Sequence, residues 1–410
     1  MYVSVVVPVY NVEKYAKEMI RSLIQQTMKQ IEFLIVDDGS TDASMDIIQA
    51  EIRNDTRFVI LQQTNKGAAH ARNIGIQHAT GEYIMFIDAD DKLAKDAATL
   101  LYQEGITSGA DIVYGKMKRF TTEKEWYLES HLGRKIYVEK EKNILANSEL
   151  FYSIGPCAKL FAKHLFEKIK FPEHIIFGED QYVTFMSYVS AQKIIFLNED
   201  IYFYRIREVG ERSLTQKKEE YPFAYLNSLI NLFQLISQGF ERNTTFLPAE
   251  KKAIMHAYFE RLIEFEIFPI FKLVFKNRRF QSRGLENISN FFESIDNELI
   301  EDSSIIVYKF IVELNNIFFI LQNKSYRDYV TLQRLIIESN PSLFENEIKK
   351  NYFYKYLLTK KITTRPSNLL AAIKYRIIAF CRYGYVFLSS KVRTNIFKRE
   401  QSSFGKKYRI

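Results

Sequence analysis

The chain has almost no cysteine. Its two, Cys157 and Cys381, lie far apart in 410 residues and form neither a disulfide framework nor a thiolate metal pattern, which fits a reducing cytoplasm. Histidine is sparse too, and none of the 6 shows ligand spacing, so the sequence offers no zinc-type centre. With 8 Pro and 15 Gly there is little material for long linkers or low-complexity tracts. No uncharged apolar stretch reaches the ~18 residues of a membrane-spanning helix. No basic region precedes the first apolar run, so no secretory signal is expected. No internal repeat is present. What the chain has in abundance is aromatic residues, 33 Phe and 26 Tyr, in a length that exceeds one typical core, so two or three domains are expected.

The first ninety residues alternate apolar runs with helical patterns. Val3 to Val7 is β-branched and stops at Pro8, and Asn11 is a candidate N-cap for a helix to about Gln26. Phe33 to Val36 and Phe58 to Leu61 read as further strands, with a helix from Ala68 to His78 after Gly67. Apolar strands separated by helices indicate an α/β fold with a mostly parallel sheet covered on both faces. Ligands of such sheets bind beyond the carboxyl ends of the strands. Three polar clusters sit there: Pro8-Val9-Tyr10-Asn11, Asp37-Asp38, and Asp88-Ala89-Asp90 after the run Tyr83 to Ile87. Residues i and i+2 of a strand point the same way, so Asp88 and Asp90 make a paired carboxylate. Such a pair repels itself unless a cation intervenes, and Mg2+ or Mn2+ takes these oxygen ligands. The bland alternative is an Asp cluster capping a helix over Leu93 to Leu101. By the same alternation only one of Asp37 and Asp38 faces a ligand.

The ordered motifs Val-Pro-Val-Tyr-Asn (7–11), Val-Asp-Asp-Gly-Ser-Thr-Asp (36–42), Asn-Lys-Gly (65–67), Ala-Arg-Asn-x-Gly (71–75) and Gly-Glu-Tyr-Ile-x-Phe-Ile-Asp-Ala-Asp-Asp (81–91) resemble the GT-A glycosyltransferases of family 2. The resemblance covers roughly residues 1 to 215. It implies a Rossmann-like catalytic domain that transfers a sugar, with inversion, from a nucleotide diphosphate donor, most simply UDP-linked, to a glycan or lipid-linked acceptor. It implies direct metal contact for Asp90, with Asp88 on ribose or sugar hydroxyls or on the ion. Asp38, or its neighbour Asp37, would accept the N–H of a uracil-type base above Pro8 and Tyr10, with Asn11 beside them. Lys66 and Arg72 are candidate cations for ribose or diphosphate. In Phe177-Gly178-Glu179-Asp180 the resemblance makes Asp180 the general base and Glu179 its neighbour. Lys159 matches an acceptor-side position, although the usual Trp-Asn before it is Cys157-Ala158 here. Tyr204-Arg205-Ile206-Arg207 and Arg212-Ser213-Leu214-Thr215 resemble a loop over the diphosphate, which leaves Arg207 and Arg212 as alternatives.

Residues 216–359 read as a helix-rich domain, periodic over Tyr225 to Ile236, Ala253 to Phe275 and Ile305 to Leu321, whose role the sequence does not give. Residues 360–410 hold 13 Lys or Arg against the single acid Glu400, a net +12 within a total of +8. A helix from Leu369 would gather Leu369, Leu370, Ile373, Ile377, Phe380 and Cys381 within a ~120° arc. That pattern, with the net charge, fits peripheral attachment to an anionic membrane, here the inner face of the cell membrane; the bland alternative is a C-terminal helix packed on the protein's own body, and nucleic acid is the third reading. The surface polysaccharide role is fold-level analogy, and oligomerisation is open. The rival readings are a sugar-nucleotide nucleotidyltransferase, which normally carries a Gly-rich Arg-Lys loop where this chain has Pro8-Val9-Tyr10-Asn11, and a membrane-bound scaffold. The scaffold is disfavoured by the presence of Asp38, Asp90 and Asp180.

Overall fold

The computed structural model describes residues 1–276 except 139 and 208–219, with isolated positions between 283 and 295. Expectations for Arg212, for 305–321 and for 360–410 lie outside the described residues. The chain divides into two compact units, Met1–Ile270 and Phe271–Ile410, and the candidate site lies in the first.

That unit opens with β1 (Val3–Val9), α1 (Glu13–Ile24), β2 (Ile31–Asp37), α2 (Ser44–Ile52), β3 (Phe58–Gln62), α3 (Ala68–His78) and β4 (Tyr83–Phe86). It continues through β5 (Lys92–Leu93), α4 (Ala97–Ser108), β6 (Ile112–Phe120), β7 (Glu125–Tyr127), α5 (Glu129–Gly133), β8 (Glu141–Lys142), β9 (Lys159–Ala162), α6 (Glu179–Ser190) and β10 (Ile194–Arg205). Helices α7 (Pro222–Glu241) and α8 (Pro248–Leu262) follow, then a π turn (Ile263–Ile267) and α9 (Phe268–Lys276).

The sheet order is β3-β2-β1-β4-β9-β6-β10-β5, with β7 on β6 and β8 on β10. Its first four strands are parallel, as are β6 and β10, while β9 runs antiparallel between β4 and β6. The α/β fold read from the sequence is therefore present. Both faces of β1 are covered. Val3, Val5, Val7 and Val9 join a core with Ala16, Met19, Ile20 and Leu23 of α1 and Leu101 of α4. Val6 faces α3, where Gly75 lets the helix settle onto the strand: a Cβ there would lie 2.3 Å from Val6 Cγ1. That close approach accounts for the glycine in the Ala-Arg-Asn-x-Gly motif.

Two local expectations are corrected. Asn11 is not the N-cap of α1, which starts at Glu13 after Val12. Asn11 has φ +49, and its Oδ1 accepts the Thr41 N–H at 2.8 Å. The exposed N–H groups at the helix start find partners on the next loop instead: Val12 N–H donates to Ser44 Oγ (2.7 Å) and Glu13 N–H to Asp42 Oδ2 (3.1 Å). Nor does a helix begin at Leu93. Lys92 and Leu93 pair with Phe203 and Tyr202 of β10, and α4 starts four residues later at Ala97.

Candidate active site

The carboxyl ends of β1, β2 and β4 open onto a cavity of about 840 Å³. Pro8, Tyr10, Asn11 and Asp38 line one end, Asp88, Asp90 and Arg207 the middle, and Lys159, Glu179 and Asp180 the far wall. Tyr10 is 48% exposed, leaving a ring face free for a planar ligand. Asp38 is buried and shapes the floor. Its Oδ1 accepts from Gln63 Nε2 and the Lys66 N–H, both at 2.7 Å, and its Oδ2 from the Gly67 N–H at 2.9 Å. A carboxylate has about four lone-pair sites, so one acceptor position remains for a ligand. Asp37 instead turns back to accept the Ser40 N–H at 2.9 Å and does not line the cavity. Lys66 is exposed and outside the lining, so its backbone rather than its ammonium serves this wall.

The pair Asp88 and Asp90 lies just past β4 rather than on it, in a turn closed by Asp91 N–H to the Asp88 carbonyl (3.0 Å). Strand alternation therefore does not explain why both line the cavity; the turn does. Fully buried Asp91 anchors it, accepting from the Tyr202 hydroxyl (2.6 Å) and the Arg205 N–H (2.7 Å). Arg205 braces the same turn. Its Nε donates to the Asp90 carbonyl at 2.7 Å, its guanidinium lies 4.4 Å from the Phe120 ring centroid, and it pairs with Glu18. Arg207 Nε donates to Asp90 Oδ2 at 2.7 Å. Burial pushes the Asp90 carboxyl above its ordinary range; Arg207 opposes this, and Asp88 adds to it. Among the described residues no group of three or more His, Cys, Asp and Glu forms a full metal shell. Two hard carboxylates on an open cavity wall nevertheless fit a divalent ion whose remaining ligands are substrate phosphates and water.

At the far wall, Gly178 takes φ +88 and launches α6, so that Glu179 and Asp180 fall in its first turn. Burial, followed by the charge of Glu179, pushes Asp180 up to about 7. Arg72 spans the two carboxylate groups. Its Nη2 donates to Asp88 Oδ1 at 2.8 Å and its Nη1 to Glu179 Oε1 at 3.0 Å, over the ring of Phe171. The sequence allows either a solvated surface Arg or a site cation here; the side chain is buried.

Comparison with known proteins fits this geometry. A family model described as "Glycosyl transferase family 2" matches residues 4–169. The glycosyltransferase GlyG of Streptococcus pneumoniae serotype 4 is 34% identical over 242 residues, 56% of this chain and 78% of GlyG. The chain belongs to glycosyltransferase family 2. GlyA of the same organism is 36% identical over 215 residues, 50% of this chain but 31% of GlyA. The chain thus spans about a third of that longer relative. A crystal structure of Staphylococcus aureus TarS 1-349 in complex with UDP-GlcNAc shares the fold, with a TM-score of 0.63 at 22% identity, covering 86% of this chain and 93% of that one.

Several further residues complete this wall. Lys159 is buried and donates from Nζ to Gly155 O (2.6 Å), Ser153 Oγ (3.0 Å) and Cys157 O (3.3 Å). Burial pushes its ammonium down to about 7. It therefore ties together the 153–157 loop rather than presenting a charge to the cavity. Cys157, in place of the usual Trp, lies 3.9 Å from Asp88 Oδ2. The helical segment after β10 also reaches in. Arg261 Nη1 donates to Gln181 Oε1 (2.8 Å) and its Nη2 to Glu266 Oε1 (3.1 Å), and the Tyr225 hydroxyl donates to Glu266 Oε2 (3.0 Å). Gln181 N–H in turn donates to Asp180 Oδ1 at 2.9 Å, so α8 and the π turn hold the residue next to Asp180. π turns of this kind recur at functional sites.

Gly178 is the hinge of that arrangement. A Cβ at this position would stand 2.8 Å from Leu232 Cδ2, which is fully buried on α7. Gly178→Ala is expected to lower stability by about 1–3 kcal/mol, through the left-handed backbone and the overpacking together. Thermal unfolding checks this; an unchanged melting temperature would show that α7 yields freely.

Proposed function

We propose that the chain is an inverting, metal-dependent glycosyltransferase that moves a sugar from a nucleotide diphosphate donor, UDP-linked, to a hydroxyl of a glycan or lipid-linked glycan in bacterial surface polysaccharide assembly. The observation that carries the reading is one cavity lined by Asp180, whose pKa is raised to about 7, and by the Asp88–Asp90 pair, with Arg72 bridging Asp88 to Glu179 beside Asp180. The base lies over Pro8 and against Tyr10, its ring N–H taken by the spare acceptor position of Asp38. Asp88 and Asp90 would hold Mg2+ or Mn2+, which when bound supplies the charge that neutralises the departing diphosphate. Arg207, freed from Asp90, turns to the phosphates, for which its planar fork is suited. Asp180 takes the proton from the acceptor hydroxyl on the face opposite the leaving group, as inversion requires. The raised proton affinity of Asp180 suits this task, because a base works best with a pKa close to the operating pH. The UDP-GlcNAc complex of TarS supports the choice of uridine only through a shared fold.

Calorimetry with Mn2+ across UDP, GDP and CMP tests the donor. UDP is expected to bind at least about 10-fold more tightly than the others; equal affinities would remove the uracil assignment.

No described helix is long and apolar enough to cross a membrane. Attachment is proposed through 360–410, supported by its net +12. Each Lys or Arg near an anionic surface contributes about 1 kcal/mol, screened by salt. Truncation after Thr359 is expected to abolish co-sedimentation with anionic liposomes, and salt to weaken it for the full chain. Equal binding of both forms would rule the segment out as the anchor.

A further inference from the structure

Among the described residues five Lys or Arg side chains line the cavity, four of them Arg72, Arg207, Arg261 and Lys159. Each of those four is already engaged, the first three with carboxylates and Lys159 with neutral oxygens. The fifth is Arg119, on β6. It lines the cavity, and its charge acts on His131, whose Nε2 bonds the Tyr152 carbonyl at 3.0 Å. Among the described residues its guanidinium has no hydrogen-bond or ion-pair partner, and its Nε is sealed from solvent with none. A guanidinium is never deprotonated in a protein, so this side of the cavity carries a permanent positive charge that no described residue answers. Partly buried cations are normally paired, and one left unpaired at a cavity wall calls for a ligand.

The position says which ligand. The midpoint of the cavity, at Asp88 and Asp90, has its own cations in Arg72 and Arg207. Arg119 pairs in register with Tyr204 of β10, and through His131 and Tyr152 its side of the cavity also reaches Asp180, the proposed general base. Tyr152 leads directly into Ser153–Pro156, and a Cβ on Gly155 would lie 3.7 Å from Asp180 Oδ2. His131, whose ring is fixed by Tyr137 Oη (2.7 Å) and the Tyr152 carbonyl (3.0 Å), stiffens the same side. Burial, with the charges of Lys159 and Arg119, lowers its pKa to about 4, so near pH 7 it stays neutral and does not compete for an anion.

We infer that Arg119 binds an anionic group, a phosphate or a carboxylate, carried by the acceptor on the base side of the cavity. The inference rests on the glycosyltransferase reading and narrows its acceptor to a charged glycan. Charge-assisted bonds from a guanidinium fork would set the acceptor's register before its hydroxyl meets Asp180.

The test uses the full chain saturated with UDP and Mn2+, titrated with glycerol 3-phosphate, glucuronate and neutral glucose. The first two probes separate phosphate from carboxylate. At least one anion is expected to bind more tightly than glucose, less so at high salt. Arg119→Gln is expected to weaken that binding about 10-fold or more, and Arg119→Lys to retain part of it, with UDP affinity unchanged in both. Intact UDP affinity shows that each variant is folded, and UDP binding by the unsubstituted chain tests the donor reading separately. No anion preference in the unsubstituted chain, or equal anion affinity in Arg119→Gln, would overturn the inference. A parallel loss of UDP affinity would also overturn it, by assigning Arg119 to the donor diphosphate.

Discussion

Asp180→Asn is expected to cut turnover by about 100-fold or more while leaving UDP affinity near that of the unsubstituted chain. General base catalysis typically contributes 10²–10⁴-fold, so a loss of ~100-fold corresponds to about 2.7 kcal/mol of transition-state stabilisation. The amide keeps the shape of the side chain and loses only its capacity to take a proton. The pH dependence follows from the raised pKa of about 7. Asp180 must be ionised to act, so kcat of the unsubstituted chain should rise with pH up to about 7 and level off above it. The stability effect has the opposite sign. A carboxyl whose folded pKa exceeds its unfolded value contributes stability that is present at low pH and lost as pH rises through the folded value. Asp180→Asn should therefore melt higher than the unsubstituted chain at pH 8, with a smaller gap at pH 6. Collapse of UDP binding in this variant would make Asp180 a donor-site or structural residue instead.

Asp90→Asn should be the other severe lesion, with a loss of activity exceeding ~100-fold, because a neutral amide is a poor ligand for a hard divalent ion. The fold should survive. The Asp90 contact that braces the turn to Arg205 is made by the main-chain carbonyl, which the substitution leaves in place, and the deeply buried anchor is Asp91. Only the ion pair to Arg207 disappears. Removing a buried carboxylate whose ionisation is opposed by its surroundings should leave the melting temperature within a few degrees. Chelation supplies an independent arm: full activity of the unsubstituted chain in EDTA would eliminate the metal role.

How far the sequence discloses this site depends on how local each feature is. Val3–Val9, Ile31–Asp37 and Ala68–His78 are carried by short apolar patterns and were readable to within two or three residues. The clusters at Asp38 and Asp88–Asp90 were readable because parallel sheets deliver strand ends to one edge. Asn11 was misread because its capping preference is a local rule, whereas Ser44 and Asp42 arrive from another loop to serve the same N–H groups. Leu93 was misread as the start of a helix because its pairing partner is Tyr202, far along the chain. Arg72 was visible in a motif, but its bridging role depends on Glu179, 107 residues away. Arg261 gave no signal, since its meaning lies in Gln181, 80 residues earlier, and in a π turn that periodicity alone does not reveal.

Those same separations bear on how the molecule forms. The cavity wall at Pro8–Asn11 and Asp38 is closed by ties spanning about thirty residues, such as Asn11 to Thr41 and Val12 to Ser44. The other half hangs on ties of 98 residues from Asn73 to Phe171, 107 from Arg72 to Glu179 and 114 from Asp91 to Arg205. Loop-closure entropy grows with span, and contacts between distant residues form slowly. A chain emerging from its N-terminus therefore completes the Pro8–Asp38 wall well before it can assemble the wall that holds Asp180. During that interval the Asp88–Asp91 turn lacks Tyr202 and Arg205, and four carboxyl and thiol groups, at Asp88, Asp90, Asp91 and Cys157, wait in a half-built pocket. The arrival of β10 is then the event that completes the bracing of this turn, since Tyr202 and Arg205 reach Asp91 across 111 and 114 residues.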